Sequence, residues 1–160
     1  MKTGIVIERG TNYYKEGIQG KANEPITVAG LLDRAKKELG LKDIDYSLEE
    51  IYDRLENNAP RIAIITGSPD HPAHILDYQT TSKAAYRIWQ NGGVPFSFGV
   101  PVLCDATVQS NIGMSYSLQS RNAVTGMVVN QMEAHSYHGA FVIQGCDKTP
   151  FAIVNALTSL

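Results

Sequence analysis

From residue 61 onwards, segments with the pattern of buried strands alternate with segments whose apolar residues have helical spacing. Arg61–Gly67 and Ala140–Ile143 are short apolar runs typical of strands covered on both faces. Val94–Leu103 is predicted to be extended, with interruptions at Gly99 and Pro101. Helices are predicted over residues 78–91, from an N-cap at Ser120 to about His135, and over residues 150–159 with Thr149 as N-cap and Pro150 in the first turn. Because strands that alternate with helices form parallel sheets, we expect an α/β fold with a parallel sheet flanked by helices.

The N-terminal third has helical signals and most of the charge. Apolar residues recur at helical spacing up to Leu39, with Thr27 as a predicted N-cap and Gly40 as a stop signal. Ser47 and Glu50 form a capping box that predicts a second helix over about residues 48–57. We therefore expect residues 1–60 to form a polar helical segment and residues 61–160 to form the α/β core.

The charge distribution limits which classes of protein this chain resembles. Of its 30 charged residues, 21 lie in residues 1–61, so the later part either forms a sheet covered by its own helices or hides surface against a partner. A net charge of −2 argues against a generally basic nucleic-acid binder. Neither a membrane span nor a secretory signal is evident, and the two cysteines form no disulfide framework. We expect a cytoplasmic protein with reduced thiols.

Polar side chains cluster after the three predicted strands, at the edge where open parallel sheets bind ligands. Two of them, Asp105 and Asp147, each follow a predicted strand, and converging carboxylates repel unless a cation lies between them. Mg²⁺ is the usual cation for such oxygen ligands. The structural alternative is that Asp147 caps the last helix and Asp105 begins a turn. The strand-end candidates are Ser68, Asp70 and His71 after the first strand, Cys104 and Asp105 after the second, and Cys146, Asp147 and Lys148 after the third.

The remaining candidates each have a structural interpretation beside a functional one. From its residue type alone, Lys148 is expected to be a surface cation, with a salt bridge, a phosphate or carboxylate contact, a base or a metal-binding carbamate as alternatives. Cys104 and Cys146 are expected to be lone buried thiols. Ser115, Ser117 and Ser120 with Arg121 either cap a helix or bind an anion. The histidines are interpreted as loop or helix-end residues, namely His71, His74, His135 and His138.

Four motifs of this chain resemble, in the same order, those of the dihydroxy-acid and sugar-acid dehydratase family, which includes phosphogluconate dehydratase. They are Gly92–Pro95, Cys104-Asp105, Gly113–Arg121 (GMSYSLQSR) and Gly145–Lys148 (GCDK). The resemblance covers roughly residues 61–160 and corresponds to the N-terminal part of family members.

The resemblance implies a hydro-lyase that removes water from a 2,3-dihydroxy carboxylic or sugar acid and yields a 2-keto acid. Such enzymes use an iron–sulfur cluster as a Lewis acid for the leaving hydroxyl, and Mg²⁺ to hold the substrate's carboxylate and hydroxyl. By that similarity Asp105 and Asp147 bind Mg²⁺, and Lys148 is a carbamylated catalytic lysine that also binds Mg²⁺. Cys146 corresponds to a cluster ligand.

This chain also departs from the family. Ala73 stands where family members have another cluster cysteine, so we expect that the isolated chain carries no stable [2Fe–2S] cluster. Family members continue well past the GCDK motif with further site residues. The chain is therefore expected to be a subunit or fragment that needs a partner, either a second copy or a larger dehydratase subunit. The alternative is a catalytically inactive, dehydratase-derived binding or assembly protein.

Overall fold

The computed structural model describes residues 26–41, 45–67 and 74–160. Expectations for residues 1–25 and for Ser68, Asp70, His71 and Ala73 lie outside these ranges. The elements follow one another as α1 (Ile26–Leu39), α2 (Leu48–Glu56), β1 (Arg61–Gly67), α3 (Asp77–Gln90), β2 (Val94–Val100), α4 (Asp105–Val108), α5 (Met114–Ala134), β3 (Gly139–Val142) and α6 (Lys148–Leu157).

The described strands form a parallel sheet in the order β2-β1-β3. Strand β1 pairs along its whole length with β2, from Arg61 opposite Val94 to Gly67 opposite Val100. It pairs on its other side with the shorter β3. The predicted α/β class, with a parallel sheet between helices, is confirmed.

Alternate residues of β1 serve two different cores, as the two-residue repeat of a strand requires. Ala63 and Ile65 face α5 and α6, where they pack with residues such as Val128 and Ile153. Ile64 faces the opposite side, towards α1 and α3. All three β1 side chains are fully buried, which explains why this strand is an almost continuous apolar run.

Helices α1 and α2 also contribute to this packing. Val28, Leu32 and Ile51 are fully buried in a cluster that includes Trp89 of α3 and Val94 of β2. A division of the chain at residue 60 stays a prediction, and the described helices before that residue share a core with the elements that follow it.

Helices α5 and α6 begin earlier than predicted. Helix α5 begins at Met114, so Ser120 is an interior residue whose hydroxyl donates to the Ser117 carbonyl at 2.6 Å instead of capping the helix. Helix α6 begins at Lys148, which places Thr149 and Pro150 within the first turn, where proline is tolerated because the first N–H groups need no helical partner.

At the other helix starts, α1 begins at Ile26, one residue before the predicted Thr27 cap. The predicted N-cap of α2 is confirmed, because Ser47 Oγ accepts from the Glu50 N–H at 3.1 Å, whereas the Glu50 carboxylate accepts from Arg54 at 2.7 Å. No helix in the described ranges combines the length and apolar character needed to cross a bilayer.

Candidate active site

The carboxyl edge of the sheet brings together residues that follow two different strands. Asp105 is the first residue of α4, shortly after β2 ends at Val100. Asp147 and Lys148 follow β3, and Lys148 is the first residue of α6. The sequence prediction placed these three side chains near one another, and the structure does bring them together.

We call Asp105, Asp147 and Lys148 the ion cluster, and the ammonium group of Lys148 is at its centre. Its Nζ donates to Asp105 Oδ1 and lies 3.6 Å from Asp147 Oδ1. Lys148 is buried, so its interpretation as a surface cation is wrong. Asp147 occupies the N-cap position of α6 but makes no side-chain capping hydrogen bond, and its side chain is 76% exposed. The carboxylates therefore converge on a cation, and that cation is the lysine itself.

Ser117 was predicted, with Ser115, Ser120 and Arg121, to cap a helix or bind an anion, and its contact with Asp105 was not predicted. It lies on α5, is almost fully buried, and its hydroxyl donates to Asp105 Oδ1. A serine inside a helix has no positional signal of its own, and only its place in the GMSYSLQSR motif could have singled it out. Asp105 Oδ1 thus accepts hydrogen bonds from both Ser117 and Lys148, which fix the orientation of the carboxylate.

Asp105 and Lys148 each stabilise the charged form of the other. Hydrogen bonds from Lys148 and then from Ser117 hold the pKa of Asp105 below its ordinary value. Burial alone would lower the pKa of Lys148, but its hydrogen bond to Asp105 and the nearby carboxylate charges leave that pKa raised. Asp105 is thus an anion and Lys148 a cation at neutral pH.

Cys146 lies beside the cluster as a protonated thiol. Its Sγ is 3.4 Å from Asp147 Oδ1 and 3.8 Å from the Leu103 carbonyl, to which it donates. Burial, followed by the hydrogen bond with Asp147, raises the pKa of the Cys146 thiol. Cys104 is also a free thiol, and both cysteines are partly buried, as expected for lone thiols. Such a setting disfavours the thiolate that binds metals.

Arg121 and Ser120 lie next to Lys148. With Thr149 they line a gap of about 10 Å³, which is at the lower limit for one water molecule. The Ser120 hydroxyl is already bonded within α5. Within the described residues, the Nε of Arg121 is buried without a hydrogen-bond partner. The Arg121 guanidinium is therefore a second cation beside the ion cluster, and its Nε–H is available to donate a hydrogen bond.

A larger cavity, of about 300 Å³, lies at the same edge of the sheet but on the α3 side. Thr66, Gly67 and His74 are among its lining residues, and the ion cluster is not. His74 is buried rather than part of an open loop, and its Nδ1 lies 2.6 Å from Asp77 Oδ2. A side chain at Gly67 would overlap the His74 ring, so this close approach requires glycine.

The chemistry available at the ion cluster follows from its donor atoms. Two carboxylates on one cation are suited to oxygen-ligated metals such as Mg²⁺. Across residues 26–41, 45–67 and 74–160, no group of three or more histidine, cysteine, aspartate or glutamate side chains is arranged to hold a metal. A metal at this cluster would thus need Lys148 or another molecule to complete its ligands.

Comparison with known proteins matches residues 59–160 to a family model described as dihydroxy-acid/6-phosphogluconate dehydratase, N-terminal. Several curated dihydroxy-acid dehydratases are similar to the chain. The protein of Thermodesulfovibrio yellowstonii is 35% identical over 103 residues, which are 63% of this chain and 19% of that protein. The protein of Methanococcus aeolicus is 34% identical over 129 residues, which are 79% of this chain and 22% of that protein.

The matched part thus spans about a fifth of the length of these relatives. It includes all residues of the ion cluster, together with Ser117, Ser120, Arg121 and Cys146. Since the family model matches well over half of the chain, the chain belongs to the dihydroxy-acid/6-phosphogluconate dehydratase family and carries the family's N-terminal region.

Proposed function

We propose that this chain is part of a Mg²⁺-dependent hydro-lyase that converts a 2,3-dihydroxy carboxylic or sugar acid into a 2-keto acid. The observation that carries the proposal is the convergence of Asp105 and Asp147 on Lys148 at the carboxyl edge of the sheet. In this reaction a C2–H bond and the C3–O bond break, water leaves, and the resulting enol becomes the 2-keto acid by proton transfer to C3.

Asp105 and Asp147 fit the role of Mg²⁺ ligands because both already face a cation. While it is charged, the ammonium of Lys148 occupies the position between the two carboxylates where Mg²⁺ would bind. Reaction of the neutral amine with CO₂ forms an N–C bond and releases a proton, and the carbamate that results offers oxygen in place of positive charge. Mg²⁺ held there would bind the substrate's carboxylate and hydroxyl.

The surrounding residues have supporting roles in this proposal. Ser117 holds the Asp105 carboxylate in a fixed orientation through its hydrogen bond. Arg121 has an unused buried donor beside Lys148, which suits it to bind a substrate oxygen, with Ser120 next to it. Lys148 is the proposed catalytic residue, because it lies between the two carboxylates and its carbamate would bind the same Mg²⁺.

An iron–sulfur cluster does not fit the described residues. Cys146 is a single thiol with a raised pKa, and no set of three or more possible ligands surrounds it in the described ranges. Ala73, which replaces a family cysteine, lies outside those ranges. We derive no step of the reaction through a cluster on this chain.

The proposed enzyme acts with a partner chain, and the exposed apolar side chains of its later part are the support for this proposal. The partner is a second copy or a larger dehydratase subunit. Every exposed large apolar side chain among the described residues lies between Ile75 and Leu160, which supports burial of this region against another chain.

Titration calorimetry with Mg²⁺, in bicarbonate buffer and without it, tests the metal site. We expect binding that bicarbonate strengthens, and an at least tenfold loss in Asp105→Asn and in Asp147→Asn. Glu133→Gln, at the far end of α5, is the control and should bind as the unchanged chain does. Equal binding by all four proteins, or none by the unchanged chain, would contradict the metal site.

A second function is favoured by one observation: the Lys148 ammonium occupies the position between Asp105 and Asp147 where a metal would bind. On this reading the chain is a catalytically inactive binding or assembly protein derived from the dehydratases. Iron and Mg²⁺ analysis of the chain purified from its native cell with any bound partner distinguishes the two functions. A complex that contains neither metal and dehydrates no sugar acid favours assembly.

A further inference from the structure

Helices α1 and α3 leave part of one sheet face uncovered. By the strand register, Ser97 and Gly99 of β2 lie on the same face as Ile64 of β1. Ile64 is fully buried against these helices, whereas the two β2 residues are exposed. Strands of a parallel sheet are normally covered on both faces. The uncovered part is the floor of the cavity of about 300 Å³ on the α3 side, which we call the α1–α3 cavity.

Three hydroxyl groups that line this cavity make no hydrogen bond within the described part of the chain. They belong to Thr66 of β1, Thr81 of α3 and Ser97 of β2. Thr81 is only 4% exposed. A threonine inside a helix commonly donates to the carbonyl one turn earlier, as Thr125 does to the Arg121 carbonyl at 3.0 Å, and Thr81 does not. Because buried hydroxyls normally have partners, the Thr81 hydroxyl points to a ligand in the cavity.

Arg34 of α1 gives the cavity a positive charge. Its Nε donates to Glu38 Oε1 at 3.1 Å, which leaves the two Nη groups of the guanidinium for other acceptors. The carboxylate of Asp77 is also in the lining, but it is already in contact with His74, whose Nδ1 lies 2.6 Å from Asp77 Oδ2. A guanidinium beside hydroxyl groups is suited to an anionic ligand with several oxygen atoms.

The cavity lies where ligand sites of open parallel sheets are found. The chain leaves β1 towards α3 on one face of the sheet and leaves β2 towards α5 on the other, and a crevice forms at such a point. Gly99 lines the cavity, and Pro101 lines the gap beside Lys148. Two steps along the chain place the Cα atoms of these residues within about 7.6 Å of each other. The α1–α3 cavity is thus a neighbour of the ion cluster.

We propose that the α1–α3 cavity is a binding site for a small oxyanion that carries hydroxyl groups. Arg34 pairs with the oxyanion, and Thr66, Thr81 and Ser97 exchange hydrogen bonds with the ligand's hydroxyl groups, since a hydroxyl both donates and accepts. The volume is at the lower end for small-molecule sites, which restricts the ligand to a few carbon atoms. The inference goes beyond the proposed function and needs no metal, because no residue of the ion cluster lines the cavity.

Titration calorimetry of the full chain in EDTA tests this site with glycerol phosphate, which has one phosphate and two hydroxyl groups. We expect saturable binding at millimolar concentration. Methyl phosphate lacks the hydroxyl groups and glycerol lacks the charge, so each should bind at least tenfold more weakly. Glycerate distinguishes the two sources of the oxyanion, because tighter binding of glycerate assigns the site to carboxylates and tighter binding of glycerol phosphate assigns it to phosphates. No binding of either, or equal binding of methyl phosphate, would overturn the proposal.

Two variants test the residues. Arg34→Gln should weaken binding of the tighter ligand at least tenfold, and Thr81→Val at least threefold. Thermal unfolding followed by circular dichroism separates lost binding from misfolding, because Thr81→Val removes a hydroxyl without a partner in the described chain and should unfold no lower than the unchanged chain. Arg87→Gln is the matched control, since Arg87 is exposed in the last turn of α3 and the change in charge is the same.

Binding that survives both cavity variants would overturn the site, and so would an equal loss in Arg87→Gln, which would show unspecific attraction by positive charge. Asp105→Asn should bind the ligand as the unchanged chain does. Failure of Mg²⁺ binding together with intact ligand binding in EDTA would contradict the proposed function and leave this inference standing.

Discussion

Lys148 is the residue whose environment differs most from what its type suggests. A lysine in a charge-poor segment is expected at the surface. Lys148 is instead the first residue of α6, and its buried side chain contacts the Asp105 carboxylate. The burial is tolerated because the ammonium has carboxylate partners, and an unpartnered buried ammonium would lose its proton. The pair is therefore a structural feature of the metal-free protein and a candidate metal site at once.

The pH dependence of stability should reveal this pair. The pKa of Asp105 is lowered from 3.8, so its contribution is present above that pH and is lost as the pH falls through the lowered value. The pKa of Lys148 is raised from 10.5, so its contribution is present below that pH and is lost as the pH rises through the raised value. Asp105→Asn should thus lower the urea midpoint between about pH 4 and pH 10.5, and the deficit should shrink outside this window.

Asp147→Asn is the control for that measurement, because its exposed carboxylate lies farther from Nζ and should contribute little. A deficit in Asp105→Asn that stays the same from pH 3 to pH 8 would show that lost packing, and not the ion pair, causes it.

Residue types after predicted strands were enough to find Asp105, Asp147 and Lys148, because parallel strands bring their carboxyl ends to one edge. Ser117 was predicted to be part of a capping or anion-binding group, but its bond to Asp105 depends on how α5 passes Asp105 in three dimensions and was not predicted. The metal, cluster and substrate roles of these residues stay predictions.

At the scale of elements, strands and most helices followed from apolar spacing, and errors concentrated at helix starts. The N-cap at Ser47 could be predicted because Ser47 and Glu50 are three residues apart. The start of α5 could not. Before this helix the Gly113 N–H donates to the Asn111 side chain at 2.7 Å, and the serines that follow are equally plausible N-caps in the sequence.

Besides the buried side chain of Ile51, Arg54 attaches helix α2 to the rest of the fold. Its Nη1 donates to the carbonyls of Trp89 at 2.7 Å and Gly93 at 3.3 Å, and its guanidinium lies 3.5 Å from the centre of the Trp89 ring. Arg54→Ala should therefore lower the free energy of unfolding by about 2 kcal/mol, since charged hydrogen bonds and a cation–π contact are lost together. Arg54→Lys should recover less than half, because lysine lacks the planar donor arrangement.

Urea unfolding monitored by the fluorescence of Trp89, the single tryptophan, measures these changes. Arg34→Ala is the matched control, because Arg34 is half exposed and its ion pair with Glu38 lies within its own helix. It should cost less than about 0.5 kcal/mol. Equal effects in Arg54→Ala and Arg34→Ala would show that α2 does not depend on this contact.

For the whole molecule, the question is whether the family region can fold without the helices that precede it. A chain that begins at residue 59, where the family match begins, lacks α1 and α2. It would lose the fully buried side chains of Val28, Leu32 and Ile51 and would expose Trp89 and Val94. At about 1.5–3 kcal/mol for each large apolar side chain, the loss is about 5–9 kcal/mol, which is comparable to the whole stability of many domains.

We therefore expect residues 59–160 alone to keep helical content but to lose fixed packing around Trp89. Near-ultraviolet circular dichroism should lose the Trp89 signal, a hydrophobic dye should bind, and urea unfolding should broaden, all relative to the full chain under the same conditions. The same fragment with a native Trp89 signal and a sharp unfolding transition would contradict this expectation. It would then support a real boundary at residue 60, because the α/β core would hold its structure without burial by α1 and α2.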